Sequence, residues 1–235
     1  MNIEILAYDE SPLGLLCLRR RALLSQPGEV VTEITLNHEF LMSSFNTASE
    51  RALSEIALRH HPGSNLKVLV GGLGLGYTAN EVLRSPRVGH LDVVEFLPQV
   101  IDWLKQGLVP LSDALNGEPR CHVIADDVYA RLLDPTQTTY DLILIDVDHS
   151  PDERLDDDAS APNKAFYTEA GLNTAKTHLA ESGVLGVWSY ADSSPFAEAL
   201  HRVFKHVRVE PVTFENTLID EVSTDWLFFA SDRAI

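Results

Sequence analysis

The stretch Val68-Leu-Val-Gly-Gly-Leu-Gly-Leu-Gly-Tyr-Thr-Ala-Asn-Glu-Val-Leu83 decides the fold. It starts as an apolar strand, turns through several glycines and continues with apolar residues at helical spacing. Glycine adopts backbone angles that other residues avoid, and it lets a ligand approach the main chain closely. The free N–H groups at the start of the following helix attract polar or negatively charged groups. We therefore predict a nucleotide-binding turn whose contacts come from Gly71, Gly72, Gly74 and Gly76.

The remainder of the chain alternates strands and helices after this turn. The predicted strands are 91–94, 121–124, 142–145 and 184–188, and the predicted helices are 98–106, 163–180 and 195–204. Such alternation predicts an α/β fold with a doubly wound, mainly parallel sheet. The first residues instead form short β-rich runs between turns, which predict a small antiparallel sheet. We divide the chain into an N-terminal β-sheet region, 1–45, and a catalytic domain, 46–235.

Acidic residues follow the next two strands of the predicted sheet. Glu95 lies nineteen residues after Gly76, the distance at which an acid hydrogen-bonds the ribose of a bound nucleotide. Phe96 follows it and is included in the predicted nucleotide site. Asp126 and Asp127 come after the third strand, where they either contact an adenine or cap the next helix. The G-x-G-x-G spacing and this second acidic pair favour S-adenosylmethionine over a nicotinamide cofactor.

The composition limits the binding partners and the cellular location that we expect for the protein. The formal net charge is −17, which argues against nucleic-acid binding because phosphate contacts need clustered Lys and Arg. The sequence has no apolar run of membrane-spanning length, and its first residues lack the basic start and apolar core expected of a signal peptide. Two cysteines without metal-ligand spacing suggest reduced thiols. We expect a cytoplasmic protein that binds a small-molecule acceptor, without nucleic-acid or membrane partners and without a metal cofactor.

At several positions the motifs resemble those of the spermidine synthase family, the polyamine aminopropyltransferases. Residues 68–83 are similar to V-L-V-I-G-G-G-D-G-G-T-x-R-E-V-L, and Tyr140-Asp-Leu-Ile-Leu-Ile-Asp146 matches Y-D-x-I-x-x-D. The resemblance implies a Rossmann-like class I methyltransferase fold. It also implies S-adenosylmethionine, or its decarboxylated form, as co-substrate, and a homodimer as the assembly.

The candidate catalytic residues lie at the end of the fourth strand and in the loop after it. Transfer from a sulfonium is an in-line displacement, so the protein aligns the reactants and keeps the nucleophile deprotonated. Asp146 is the candidate base and is also expected to contact the co-substrate, and Asp148 and His149 follow in the loop. The acidic run 152–158 is either a solvated loop or a lid over the substrate.

Departures from the family pattern bear on the group that is transferred. Leu75 replaces an aspartate that holds the amine of the family's donor, and Trp188 replaces a glutamine. The segment 49–51 lacks the family's tyrosine. Because leucine cannot pair with an ammonium, we expect methyl transfer to a small amine or hydroxyl.

Three alternatives stay open at this stage. The first is aminopropyl transfer from decarboxylated S-adenosylmethionine. The second is a Mg²⁺-assisted O-methyltransferase that uses Asp146 and Asp148. The third is a non-catalytic binding protein that kept the fold.

Overall fold

A computed structural model describes residues 3–23, 26–135, 138–147, 161–216 and 221–235. Its N-terminal part is a four-stranded antiparallel sheet in the order β1-β2-β3-β4. The strands are β1 (Ile3–Ser11), β2 (Gly14–Ala22), β3 (Val30–Leu36) and β4 (Glu39–Ser43). The small antiparallel sheet predicted from the sequence is therefore confirmed, with β4 as a strand that the sequence pattern did not indicate.

A larger sheet of seven strands has the order β10-β11-β9-β8-β5-β6-β7. Its strands are β5 (Leu66–Gly71), β6 (Val88–Glu95), β7 (Cys121–Ala125), β8 (Tyr140–Ile145), β9 (Leu179–Ser189), β10 (His206–Asn216) and β11 (Glu221–Ser231). The strands from β9 to β7 pair in parallel, whereas β11 is antiparallel to both β9 and β10. This arrangement confirms the predicted α/β class.

Helices cover both faces of the seven-stranded sheet. They are α1 (Ala48–His60), α2 (Tyr77–Arg84), α3 (Pro98–Lys105), α4 (Ser112–Asn116), α5 (Val128–Leu133), α6 (Pro162–Phe166), α7 (Glu169–Lys176) and α8 (Ser194–Val203). Successive residues of the central strands point to opposite faces. Val68 and Val70 accordingly pack with α1 and α2, whereas Leu69 packs with the cluster that includes Phe166 and Phe196. Burial on both faces explains why the central strands are continuously apolar.

The chain order of the sheet reverses at β5, which pairs with β6 on one side and with β8 on the other. Ligands of open α/β sheets bind at such a switch point, beyond the carboxyl ends of the strands. The glycine turn follows β5 and Asp146 follows β8, so the two sequence-predicted features meet at this crevice.

One predicted helix is wrong in extent. The sequence pattern indicates a continuous helix over 163–180, but the structure has α6 and α7 separated by a turn. Thr168 caps α7 by accepting a hydrogen bond from the Gly171 amide at 3.1 Å. Gly171 also packs so closely on Ala165 that a side chain there would overlap its carbonyl group. The helical periodicity continues through the turn, and only the cap reveals the break.

The two sheets touch through side chains near the crevice. The indole N–H of Trp103, on α3, donates a hydrogen bond of 2.9 Å to the Asp9 carboxylate on β1. Met42, on β4, lies against Gly74, because a Cβ added to Gly74 would be 2.6 Å from the Met42 sulfur. No helix within the described ranges is long and apolar enough to cross a membrane.

Candidate active site

The glycine turn folds back over the end of β8. The Gly72 amide donates to the Val94 carbonyl at 2.8 Å, and the Asp146 amide donates to the Gly71 carbonyl at 2.8 Å. Gly72 has a φ of +96°, and a side chain on it would overlap the Asp146 carbonyl oxygen. Gly76 has a φ of +90° where it begins α2. The turn is thus narrow because two positions admit no side chain.

Glu95 fastens this turn to the end of β6. One of its carboxylate oxygens accepts a hydrogen bond from the Leu73 amide at 2.8 Å, and the other accepts from the Leu97 amide at 2.8 Å. The residue is 7% exposed. Burial raises the pKa of Glu95, and these backbone hydrogen bonds oppose the shift. The backbone of Gly74 and Phe96 also forms hydrogen bonds with this carboxylate, and ribose binding stays a prediction for Glu95.

The residues after β6 and β7 differ in their exposure and in the hydrogen bonds that they already make. Phe96 is 47% exposed at the end of β6. Asp127 caps α5 by accepting from the Tyr129 and Ala130 amides at 2.8 and 3.2 Å. Asp126 pairs with Arg131 at 3.2 Å and keeps a 45% exposed side chain. Asp127 therefore has the capping role that the sequence left open, and Asp126 is the better placed to meet a ligand.

Asp146 lies at the carboxyl end of β8, beside the start of α2. Its carboxylate accepts a hydrogen bond from the Thr78 hydroxyl. Burial raises the pKa of Asp146 to about 6, and the negative charge of Asp225 adds to the shift, while the Thr78 hydrogen bond opposes it. A carboxyl with this pKa is ionised at neutral pH but still able to accept a proton.

Two further acids face Asp146, and the sequence did not identify either as a site residue. Glu50, in the first turn of α1, has its pKa raised to about 8 by burial and by the negative charge of Asp146. Asp225 comes from β11, and burial raises its pKa as well. The Ser49 hydroxyl lies between these two acids, donating to the Glu50 carboxylate at 3.2 Å and interacting with Asp225. We call Glu50, Asp146 and Asp225 the carboxylate cluster.

Among the described residues, no Lys, Arg or His side chain forms an ion pair with the carboxylate cluster. Arg51 is next to Glu50 in the chain, but it reaches Glu81 at 3.4 Å and donates to the Thr47 hydroxyl instead. Asp146 carries a negative charge at neutral pH, whereas the raised pKa of Glu50 keeps that acid mostly protonated unless a cation lies nearby. A buried charge is costly unless it is paired, so the cluster favours a cationic ligand.

Leu75 does not face the crevice. Its side chain is fully buried in the hydrophobic core beside the residues of α1 and α2. Leu75 therefore offers no exposed surface to a ligand, and its influence on the choice of donor stays a prediction. The negative charge next to the glycine turn comes from the carboxylate cluster instead.

Asp148, His149 and the acidic run 152–158 lie outside the described residues. Their proposed roles as catalytic residues and as a lid stay predictions. In the described ranges, no group of three or more His, Cys, Asp or Glu side chains is close enough together to hold a metal ion.

A glycine turn at the switch point, an acid at the end of β6 and a buried acid after β8 define a Rossmann-like domain of the S-adenosylmethionine-dependent type. Solved structures show the same fold at low identity. Spermidine synthase from Thermotoga maritima matches with a TM-score of 0.73 and 19% identity, over 98% of this chain and 73% of that chain. A spermidine synthase in complex with the transition state analogue AdoDATO matches with a TM-score of 0.72 and 18% identity, with the same coverage.

The family model described as "Spermine/spermidine synthase domain" matches residues 46–196 of this chain. The chain belongs to this family. "Polyamine aminopropyltransferase 2" of Pseudomonas aeruginosa is 28% identical over 169 residues, which are 70% of this chain and 46% of the relative. "Polyamine aminopropyltransferase 2" of Streptomyces coelicolor is 31% identical over 145 residues, 60% of this chain and 24% of the relative. The chain therefore spans less than half the length of these curated relatives.

These relatives correct the expected reaction. Methyl transfer is wrong as the main reading, because the matching family and its curated members are aminopropyltransferases. The resemblance to the spermidine synthase family is confirmed. The division at residue 45, the homodimer and the cytoplasmic location stay predictions.

Proposed function

We propose that this chain transfers the aminopropyl group of decarboxylated S-adenosylmethionine to an amine of a small-molecule acceptor. The observation that carries this proposal is the carboxylate cluster, which has no cationic side chain paired with it in the described part of the chain. Both reactants of aminopropyl transfer carry ammonium groups, and such groups match this charge. Membership of the Spermine/spermidine synthase family supports the same reaction.

The cluster also distinguishes the two forms of the donor. Intact S-adenosylmethionine carries a carboxylate on the chain that would be transferred. Decarboxylation removes this carboxylate and leaves a plain aminopropyl group. Two like charges about 4 Å apart repel by about 4 kcal/mol at an effective dielectric constant of about 20. A carboxylate brought close to Asp146 would meet this repulsion, whereas an ammonium would be attracted by a similar amount.

The turn and its neighbours would hold the nucleoside part of the donor. Gly72 and Gly74 let the turn pack closely against the Asp146 carbonyl and Met42, and Glu95 fastens the turn beside the place where the ribose would lie. Asp126 would read the adenine amino group, and Phe96 provides an exposed ring beside it. These assignments place the sulfonium end of the donor towards the carboxyl end of β8.

The transfer itself needs a neutral amine and an aligned carbon. The amine nitrogen forms a bond to the methylene carbon next to sulfur, and the carbon–sulfur bond breaks with its electron pair moving to sulfur. The sulfonium becomes a neutral thioether, which leaves as 5′-methylthioadenosine, and the new ammonium loses a proton. Asp146 would accept a proton from the amine, and its raised pKa suits this task near neutral pH.

A donor comparison tests the proposal. The purified chain is incubated with 1,4-diaminobutane and either decarboxylated or intact S-adenosylmethionine, and products are identified by mass spectrometry. We expect 5′-methylthioadenosine and an aminopropylated amine from the decarboxylated donor alone. Formation of S-adenosylhomocysteine and a methylated amine would contradict the proposal. Binding of the donor without transfer to any amine would also contradict it, in favour of a non-catalytic protein.

A further inference from the structure

Asp225 lies at the mouth of the crevice because of the direction of β11. Ile145 pairs with Val187 of β9, and Trp188 pairs with Leu227 of β11. Since β11 runs antiparallel to β9, residues before Leu227 extend beyond the carboxyl ends of the parallel strands. Asp225 and Leu227 are two residues apart and share a face, and Leu227 packs in the cluster that contains α1 and α2. Asp225 therefore opens onto the side of the crevice where Glu50 lies.

The pairing register of the strands also gives the distance between Asp146 and Asp225. Asp146 follows Ile145 and is level with Trp188 and Leu227, so Asp225 stands two residues further out and two strands across. This displacement is roughly 7 Å along the strands and roughly 10 Å across them between backbones. Their side chains point into the same crevice and shorten the gap. An extended cation with two charged ends fits such a separation, whereas one metal ion does not.

Aromatic side chains lie beside Asp225. The indole N–H of Trp188 is buried and faces the Asp225 carboxyl without the geometry of a formed hydrogen bond. The ring of Tyr190 is 46% exposed, and its centroid is 6.4 Å from that of Trp188. An apolar wall next to an acid that has no ion-pair partner in the described part of the chain suits a methylene chain that ends in an ammonium.

We propose that Asp225 is a specificity-determining residue that pairs with the second ammonium of a linear diamine or polyamine acceptor, while the first amine lies at Asp146. This inference rests on the proposed aminopropyl transfer and adds to it the residue that selects an acceptor with two charged ends. Trp188 occupies the strand position where the family has a glutamine.

A comparison of one diamine with one monoamine tests the role of Asp225. Turnover of 1,4-diaminobutane and of 1-aminobutane with decarboxylated S-adenosylmethionine is measured for the native chain and for Asp225→Asn. We expect the native chain to prefer the diamine in kcat/KM, and the variant to lose about tenfold or more of that preference through a higher KM. Asp225→Glu should recover part of it. Glu215→Gln removes an exposed acid from the same hairpin and should leave the preference unchanged.

Separate outcomes distinguish the two proposals. An unchanged diamine preference in Asp225→Asn would overturn the role of Asp225 while leaving aminopropyl transfer intact. Equal loss of both amines together with weaker donor binding would also overturn it, because Asp225 would then be structural. If the native chain turns over no amine, the proposed function fails. Calorimetry of 1,4-diaminobutane with 5′-methylthioadenosine present then decides the inference, which requires measurable binding that Asp225→Asn weakens.

Discussion

The Asp146 carboxylate accepts a hydrogen bond from a hydroxyl on one side and faces two further acids on the other. The Thr78 hydrogen bond fixes the carboxylate at the start of α2, and burial with the charge of Asp225 raises its pKa to about 6. We predict that Asp146→Asn lowers kcat by about a hundredfold or more, because the amide keeps the shape but cannot accept the proton. Donor affinity, measured by calorimetry, should fall by a smaller factor than kcat, because Glu50 and Asp225 still face the donor.

The same strand offers a control for this substitution. Asp141 lies at the opposite end of β8, where it accepts a hydrogen bond from the Lys67 amide at 2.8 Å and lies 3.6 Å from His61. Asp141→Asn should keep turnover near that of the native chain. If Asp146→Asn weakens donor binding as much as it slows turnover, Asp146 shapes the donor site and is not the base.

The sequence predicts some residues of the candidate site and misses others. Asp146, Glu95 and the glycines were found because each directly follows an apolar strand, and strand ends meet at one edge of a parallel sheet. Glu50 lies inside an amphipathic helix and Asp225 inside a β-rich run. Each looks like an ordinary surface acid in the sequence, and only the packing of α1 on the sheet and the pairing of β11 with β9 bring them near Asp146.

At the scale of an element, the turn between β5 and α2 depends on Gly72. We predict that Gly72→Ala lowers the free energy of unfolding by about 2–4 kcal/mol, since strain at positive φ is joined by overlap with the Asp146 carbonyl. Gly28→Ala is the matched control, because Gly28 has a φ of +97° and nothing lies within 4 Å of its added Cβ. This control should cost about 1 kcal/mol, the strain alone.

Chemical denaturation measures both glycine variants, and calorimetry with the decarboxylated donor measures binding. Gly72→Ala should also weaken donor binding, whereas Gly28→Ala should not. Equal destabilisation by the two substitutions would show that close packing against Asp146 adds nothing to the need for glycine at position 72.

Helix α5 separates two roles that the sequence could not. Asp127 caps it, so Asp127→Ala should lower the free energy of unfolding by about 1 kcal/mol and leave donor affinity nearly unchanged. Asp126→Ala should change stability by less than about 0.5 kcal/mol, because its ion pair with Arg131 is exposed. It should weaken donor binding by about tenfold if its carboxylate contacts the adenine. The reverse pattern would assign the adenine contact to Asp127.

The existence of a strand or helix follows from the local sequence pattern, whereas its ends depend on tertiary contacts. Strands β5 and β8 were predicted because their apolar runs reflect burial on both faces. The break between α6 and α7 was missed because a cap and a close glycine contact end the helix without interrupting its periodicity. Local pattern thus locates elements, while contacts between elements set where they stop.

For the molecule as a whole, the carboxylate cluster links folding to pH. Glu50 has a pKa of about 8 in the folded chain against an ordinary value of 4.5, and the pKa of Asp146 is about 6 against 3.8. The folded chain therefore holds protons that the unfolded chain has already released between these values. The unfolded state binds fewer protons in that range, so these groups make the free energy of unfolding fall as pH rises. The loss begins near pH 4 and is complete above pH 8.

Glu50→Gln isolates this effect from the buried histidines, whose lowered pKa values act in the opposite direction. Denaturant unfolding of the native chain and the variant at pH 5, 6.5 and 8.5 gives the difference in stability between them. We expect the variant to gain about 2 kcal/mol on the native chain between pH 5 and 8.5, after allowance for partial exposure of Glu50. Glu215→Gln, on the exposed side of β10, should show no such gain. A constant difference across this range would mean that Glu50 is ionised in the folded chain, and the crevice would then hold its negative charge without a bound amine.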